Sequence, residues 1–510
     1  MIFERLLERK RGRREERRVV DQTVEELPAS HVAKVMAWPS FSVHAMSESR
    51  RPWLVLAAMT TALGMLTIDT TVVRVALPTI QRELGTSAVV QQWVVNAYLL
   101  TLAVFVIAGG RAGDLFGRRR VFLAGLVGFT VCSALAGSAE GSTLLLVARA
   151  GQGIGAAIML PGTLSIVTDA FAGPRLGRAI AVISTVAAAG VSVGPLLGGV
   201  LTEYAGWRWI FFVNIPVGVA AFVLTLAVVP ESRKEQAPPI DLRGLALLAA
   251  GLSALTLGLM QGQDWGWTSP GVAGLLAGAV VALALFLAFE ARTRMPLVDL
   301  GLLRGSSLVA NTVGATAQFA ITGLTVLAAI YLQNVLHFSP FDAGLRLLPL
   351  TVPALFGSPL TGWLLGRISA RALATAGMAL MAAGMLGSGI GADVSDRYAV
   401  LVPGFVVFGV GFSVVFTVMT TLVMASARTA DRGMASGVYN TARNVGAALG
   451  VAVMGAILAA ESGAGTPSEV DSAFALTLEI AAGVVALGAL LGYLGLTRAR
   501  PEQHSAHHVP

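Results

Sequence analysis

The sequence predicts an all-α integral membrane protein, with fourteen transmembrane helices arranged as two six-helix bundles and two further helices inserted between them. Three observations carry that expectation. The chain is 55% hydrophobic and only 13% charged over 510 residues, with a mean hydropathy of +0.74, a balance foreign to soluble globular chains. Apolar runs of roughly 17 to 25 residues, the length a helix needs to cross the hydrocarbon, recur from Trp53 almost to the C-terminus. Finally, a Gly- and Arg-rich connection at the end of the second run, Gly110 to Arg119, is echoed by Gly362 to Arg371 at the end of the tenth. A plain six-plus-six repeat would place the echo after the eighth run. It falls two runs late, so spans 7 and 8 read as an insertion between repeated halves.

Taken in order, residues 1-50 form a polar, basic extension with eight Lys or Arg among the first eighteen residues. It lacks the apolar core of a secretory signal peptide and reads as a disordered cytoplasmic arm, with contact to anionic lipid as the functional alternative. Met46, seven residues before Trp53, is an alternative initiator. The spans then run near 53-78, 91-111, 120-138, 143-168, 178-202, 208-229, 242-261, 271-290, 308-333, 343-366, 372-391, 398-424, 434-460 and 474-496. They divide into a first bundle over 51-230, the inserted pair with its linkers over 231-305, a second bundle over 306-498, and a cytoplasmic tail over 499-510.

Orientation follows from the connections. Arg111 to Arg120, Arg175 and Arg178, Arg233 to Arg243, Arg292 to Arg304, Arg367 and Arg371, Arg428 and Arg432, and Arg498 and Arg500 fall on one side, while the other side offers little beyond Arg82, Arg208 and Arg397. Basic residues in short loops are retained in the cytoplasm. With an even number of spans both termini are therefore cytoplasmic, the protein is multi-pass in the cytoplasmic membrane, and the loops near 262-270 and 461-473 are external. The same dispersal explains the net charge of +7 and the pI near 10.0 without any nucleic-acid partner.

Other classes lose support in turn. The single cysteine, Cys132, lies in an apolar run and permits neither a disulfide framework nor a cysteine metal site within one chain. No Gly-x-x-x-x-Gly-Lys-[Ser/Thr] stretch is present to hydrolyse ATP. Of the six histidines, five (His31, His44, His504, His507 and His508) are in the tails. An enzyme is disfavoured, no metal or cofactor is implied, and a channel stands behind a transporter.

The connection Gly109-Gly110-Arg111-Ala112-Gly113-Asp114-Leu115-Phe116-Gly117-Arg118-Arg119-Arg120 packs four arginines around one acid. Gly110 and Gly113 would let the helix end approach its neighbour, Gly117 would permit the tight turn, and Asp114 would pair with an arginine or a helix N-terminus. An ordinary basic loop accounts for the arginines alone. The stretch resembles the loop between helices 2 and 3 of the major facilitator superfamily, carried here by Gly110, Asp114, Gly117, Arg118, Arg119 and Arg120. The resemblance implies a gating latch that joins the two halves when the transporter faces outward.

Further segments narrow the resemblance. Leu66 to Pro78 carries Asp69, Thr71, Ala76, Leu77 and Pro78 in the pattern of the fourteen-span drug:proton antiporters, with Arg74 where asparagine is more usual. An acid inside a span costs several kcal/mol unless it is neutralised or faces water. Asp69 is either held by Thr70, Thr71 or Arg74, or it carries a coupling proton. Arg149-Ala150-Gly151-Gln152-Gly153-Ile154-Gly155 resembles the stretch that the family implicates in proton transfer, and Arg149, permanently charged, either serves that role or packs helices. Gly190, Gly194, Pro195, Gly198 and Gly199 form a small-residue face with a proline bend. Their order is similar to the signature of the family's antiporters, which implies export ahead of import. Trp207 to Pro216 matches the family's entry into span 6.

Asn96, Tyr98, Gln152, Met159 and Gln318 complete the set as weak candidates for an apolar substrate cavity. Phe319, Phe416, Asn440, Arg443 and Asn444 are further polar or aromatic groups that suit such a cavity. The resulting expectation is a proton-coupled antiporter, functional as a monomer in the bilayer, exporting lipophilic or cationic drugs or antibiotics. Export of one endogenous metabolite or self-made antibiotic is the alternative, with an importer or channel behind it.

Overall fold

A computed structural model describes residues 51–171, 174–233, 240–293, 296–298, 300–394, 398–426, 432–461 and 467–496. The expected disordered arm over 1-50 and the tail over 499-510 lie outside these residues. The described chain holds fourteen helices long and apolar enough to cross a membrane. They are α1 (Arg51–Leu84), α2 (Ala88–Phe116), α3 (Arg118–Gly137), α4 (Ser142–Ala170), α5 (Arg178–Tyr204), α6 (Trp209–Val228), α7 (Leu242–Gly262), α8 (Pro270–Glu290), α9 (Gly305–Asn334), α10 (Pro340–Leu365), α11 (Ala370–Ala392), α12 (Tyr398–Ala425), α13 (Ala435–Glu461) and α14 (Glu469–Gly495).

Local chemistry sets many of the ends. Ser87, Asp241, Ser269 and Ser339 accept from backbone N–H groups in the first turns of α2, α7, α8 and α10, satisfying donors that have no partner within the helix. Pro270 and Pro340 open α8 and α10, where a missing N–H costs nothing. The helices extend several residues beyond the apolar runs read from sequence, because polar ends such as Thr79–Leu84 continue the helix past the hydrocarbon.

Packing repeats with an offset of eight helices. In the first bundle α1 packs on α5 and α6, α3 packs on α4 and α6, and α2 packs on α4; in the second, α9 packs on α13 and α14, α11 on α12 and α14, and α10 on α12. Each second-bundle pair is a first-bundle pair shifted by eight. The inserted α7 and α8 pack on each other, and α7 also lies along α2 and α13. Of the apolar window of α8 only 17% is buried, against 78% for α9, so α8 faces outward while α9 is central.

Three helix pairs make most of the contact between the bundles: α2 with α13, α5 with α10, and α1 with α9. The α5–α10 seam is tight toward the end away from the arginine-rich connections. There Ser192 Oγ donates to the Thr351 carbonyl (3.0 Å), the Phe341 N–H donates to Glu203 (2.8 Å), and Tyr204 meets the Phe341 ring at 6.1 Å. Toward the arginine-rich face the same helices expose Ile180, Phe356 and Leu360.

Candidate functional site: a buried ion pair and the arginine-rich loop

The first bundle encloses a polar network supplied by five helices. Asp69 of α1 and Arg149 of α4 form an ion pair at 2.7 Å, with side chains 0% and 1% exposed. Arg149 Nη1 also donates to Gln152 Oε1 (2.9 Å) and Nε to the Val94 carbonyl of α2 (3.0 Å), while its guanidinium lies 4.5 Å from the Tyr98 ring centre. Gln152 Nε2 and Asn214 Nδ2 of α6 both donate to Asp69 Oδ1, at 3.2 and 2.8 Å. Ser133 of α3 accepts from the same two amides (3.1 and 2.9 Å) and donates to the Phe211 carbonyl (2.9 Å).

Every group reaching the Asp69 carboxyl is a donor. The site is therefore complementary to the ionised carboxylate, and the bare burial penalty read from sequence is offset by one charge and two amides. The sequence candidates Thr70, Thr71 and Arg74 are not its partners: Thr70 and Thr71 donate back to the Thr67 carbonyl. Side chains five and two residues from Asp69 project from other sides of the helix. Ser133 and Asn214 were not singled out from sequence as network members. Asn214 stands in the stretch entering α6, but nothing in one sequence marks it as facing Asp69.

Glycines in α4 make this closeness possible. A Cβ on Gly155 would meet the Phe129 amide at 2.8 Å and the Gly125 carbonyl at 2.9 Å, so α3 and α4 touch through backbone. The face read from Gly190, Gly194 and Gly198 lies on α1, against Thr67, Thr71 and Val72, and Thr71 Oγ1 donates to the Gly190 carbonyl (3.4 Å). Gly199 turns the other way, and its Cβ would meet the Pro340 carbonyl of α10 at 2.5 Å; Pro195 lies against Gly344 of α10. The segment is thus packed between α1 in one bundle and α10 in the other. Gly198→Val is expected to abolish the folded, transport-competent protein. Its Cβ would lie 2.5 Å from the Val72 carbonyl oxygen, a clash no rotamer relieves, and overpacking of this kind costs about 1–3 kcal/mol or more. Thermal unfolding in detergent, with unchanged stability as the contrary result, checks this.

At the arginine-rich end, Asp114 accepts from Arg118 Nη2 (3.0 Å), and Arg118 Nη1 pairs with Asp169 at the end of α4 (2.5 Å). Gly117 has φ +106°, a conformation that favours glycine, and its Cβ would fall 2.6 Å from Glu231 Oε1. Glu231 accepts from the Arg119 N–H (3.1 Å) and the Arg120 N–H (3.2 Å), so a carboxylate caps the positive end of α3. Arg119 Nη1 reaches the Val229 carbonyl (3.1 Å). These bonds tie the loop to the end of α4 and to the connection after α6, and Arg111 donates to the Pro296 carbonyl in the connection before α9. Close approach is made by Gly109, whose Cβ would meet the Ala157 carbonyl at 2.5 Å, rather than by Gly113, whose nearest neighbour is at 3.9 Å; Gly110 faces Pro161 at 3.3 Å. Asp169 and Glu231 bond this loop but sit far from it in sequence, beyond the reach of a loop pattern.

The five cavity candidates separate. Tyr98 and Gln152 belong to the ion-pair network, Met159 is fully buried in the core, and Asn96 donates to Met260 Sδ of α7 (3.1 Å). Gln318 alone of the five is half-buried, accepting from Arg443 (3.0 Å). A small apolar crevice between α2, α7 and α13, lined by Leu100, Leu252, Thr256 and Leu449, has a cavity volume of about 10 Å³, far below the roughly 300–1,000 Å³ of a drug-sized site.

Fourteen membrane-length helices in two six-helix bundles with an inserted pair, the first bundle closed around a buried carboxylate–guanidinium pair, define a polytopic membrane protein. The Major Facilitator Superfamily profile matches residues 59–451, with a second match over 314–506, and the chain belongs to that superfamily. It is 36% identical over 365 residues to the tetracenomycin C resistance and export protein of Streptomyces glaucescens, covering 71% of this chain and 68% of the relative. It is 38% identical over 340 residues to the multidrug resistance protein Stp of Mycobacterium tuberculosis (66% and 63% covered), and 35% identical over 387 residues to the puromycin resistance protein of Streptomyces alboniger (74% and 76%). Among solved structures, a bacterial homologue of the human lysosomal transporter Spinster, inward-facing and occupied, superposes with a TM-score of 0.62 at 17% identity, over 88% of this chain and 97% of that one. A proton-dependent oligopeptide transporter gives 0.62 at 15% identity, over 86% and 98%. At those identities the likeness shows the fold.

Proposed function

We propose that this chain exports lipophilic drugs or antibiotics across the cytoplasmic membrane in exchange for protons, with Asp69 as the proton carrier and Arg149 as its counter-charge. Three relatives known for resistance or export support the export half of the reading. The observation that carries the proton half is the Asp69–Arg149 pair, excluded from solvent and bonded by five helices. Protonating Asp69 would leave Arg149 charged and unmatched, and breaking a buried pair costs about 3–5 kcal/mol. Inverting a two-state population from 1:99 to 99:1 takes about 5.5 kcal/mol. One proton on Asp69 would therefore supply much of the free energy such an inversion takes, with substrate binding supplying the rest.

In this reading the arginine-rich face is cytoplasmic, and the seam at Ser192, Thr351 and Phe341 closes the external side. Reporter fusions after residues 120, 235 and 500 are then expected to report cytoplasm and fusions after 265 and 466 the exterior; an external C-terminus would break the assignment. Export of a self-made antibiotic fits the same fold, and two relatives are named for export or resistance toward single compounds, tetracenomycin C and puromycin. Uptake of a labelled drug panel into everted vesicles under an imposed pH gradient tests coupling. Uptake that ignores the gradient removes the antiporter reading.

A further inference from the structure

Five charged side chains lie about two turns or more inside the spans: Asp69, Arg74, Arg149, Arg443 and Glu479. Asp69 and Arg149 neutralise each other, and Glu479 is exposed on the outer face of α14 beside Leu476 and Ile480. Two guanidiniums remain, one from each bundle. Arg74 of α1 is 5% exposed, its Nε is buried without a hydrogen-bond partner, and no carboxylate pairs with it among the described residues. Arg443 of α13, half-buried, meets Gln318 Oε1 of α9 (3.0 Å) and lies over the rings of Phe416 (4.6 Å) and Tyr439 (5.6 Å), again with no acid paired to it among the described residues.

Their placement bears on transport. Thr67, Thr70 and Arg74 share one face of α1, about 140° round the helix from Asp69. Thr67 and Thr70 on that face are only half-buried. The next residue, Val75, gives its carbonyl to Gln333 Nε2 of α9 (2.7 Å), and Gln333 Oε1 is itself buried without a partner. Arg74 thus stands where the two bundles meet, near the closed end. Arg443 lies among α9, α12 and α13, in the half of α13 nearer the arginine-rich face. Guanidinium cannot shed its charge, and a cation held out of water without a counter-ion is costly, fully so for Arg74 and in part for Arg443. An anion that arrives from outside the protein would supply what the fold does not.

We propose that Arg443 and Arg74 recognise, in succession, an anionic group on the transported molecule, and that the substrate class is an amphipathic aromatic anion, a carboxylate or phenolate, rather than a lipophilic cation. The aromatic rings beneath Arg443 suit a planar ligand, and Arg74 holds the anion as it nears the far side. This rests on the exporter reading and narrows it.

The test uses fluorescein as the aromatic anion and ethidium as the matched cation, with binding to the full chain in detergent followed by fluorescence anisotropy. The expected result is fluorescein binding that weakens about tenfold or more in Arg74→Gln and in Arg443→Gln, the scale of one charge-assisted hydrogen bond. Arg74→Lys keeps part of it, and ethidium binding does not fall in any variant. Absence of fluorescein binding, unchanged binding in both Gln variants, or equal loss of both dyes overturns the proposal. Everted vesicles separate the two readings: selective anion binding without gradient-driven movement of fluorescein sinks the antiporter and leaves the anion site standing, whereas gradient-driven ethidium uptake with no fluorescein binding does the reverse.

Discussion

Asp69→Asn is expected to eliminate substrate-induced proton release while leaving substrate binding measurable. Asparagine keeps the size of the side chain but presents one acceptor and one donor to three donors. With Oδ1 toward Arg149, its amide would confront Gln152 Nε2 and Asn214 Nδ2; reversed, it would confront Arg149 Nη1. Either way a buried donor is orphaned, at about 1–3 kcal/mol, and Arg149 loses its only counter-charge among the described residues. Export driven by a pH gradient should fall to the level of empty vesicles. Proton release from solubilised protein at several pH values is the deciding measurement, and release equal to that of the parent would move the carrier elsewhere. Asp69→Glu restores the charge with one extra methylene and should retain part of the activity at a shifted pH optimum.

Arg149→Met should be the more damaging single change. It removes the ion-pair partner and the donor to the Val94 carbonyl, leaving Asp69 charged in a pocket 0% exposed, a loss of about 3–5 kcal/mol. The Tyr98 ring would also lose the guanidinium stacked on it. Arg149→Lys keeps the charge but cannot reach Asp69, Gln152 and Val94 together with a planar fork, so it should fold and couple poorly. Combining Asp69→Asn with Arg149→Met removes both charges, and the double variant should be more stable than Arg149→Met alone. A thermal-unfolding double-mutant cycle measures this; simple additivity of the two losses would mean that the pair is not coupled in the folded protein.

What the sequence determined by itself was set by solvent and by period. Lipid offers no hydrogen bonds, so apolar runs of sufficient length had to be helices, and the late echo of Gly110 to Arg119 at Gly362 to Arg371 was enough to place α7 and α8 as an insertion. Local chemistry was equally legible: Gly117 takes the positive φ its turn demanded, and Gly190, Gly194 and Gly198 share one face because glycines four apart on a helix must. The partners of those faces were decided only by tertiary structure. Asp69 and Arg149 lie eighty residues apart, and Ser133 and Asn214 join them only because α3 and α6 close around α1 and α4. Asp169 at the end of α4 and Glu231 just after α6 reach the arginine-rich loop in the same way. Helical periodicity fixes the direction in which a side chain leaves its own axis. Which axis it meets depends on packing among fourteen helices of similar hydropathy, and that same packing left Arg74 buried without an acid.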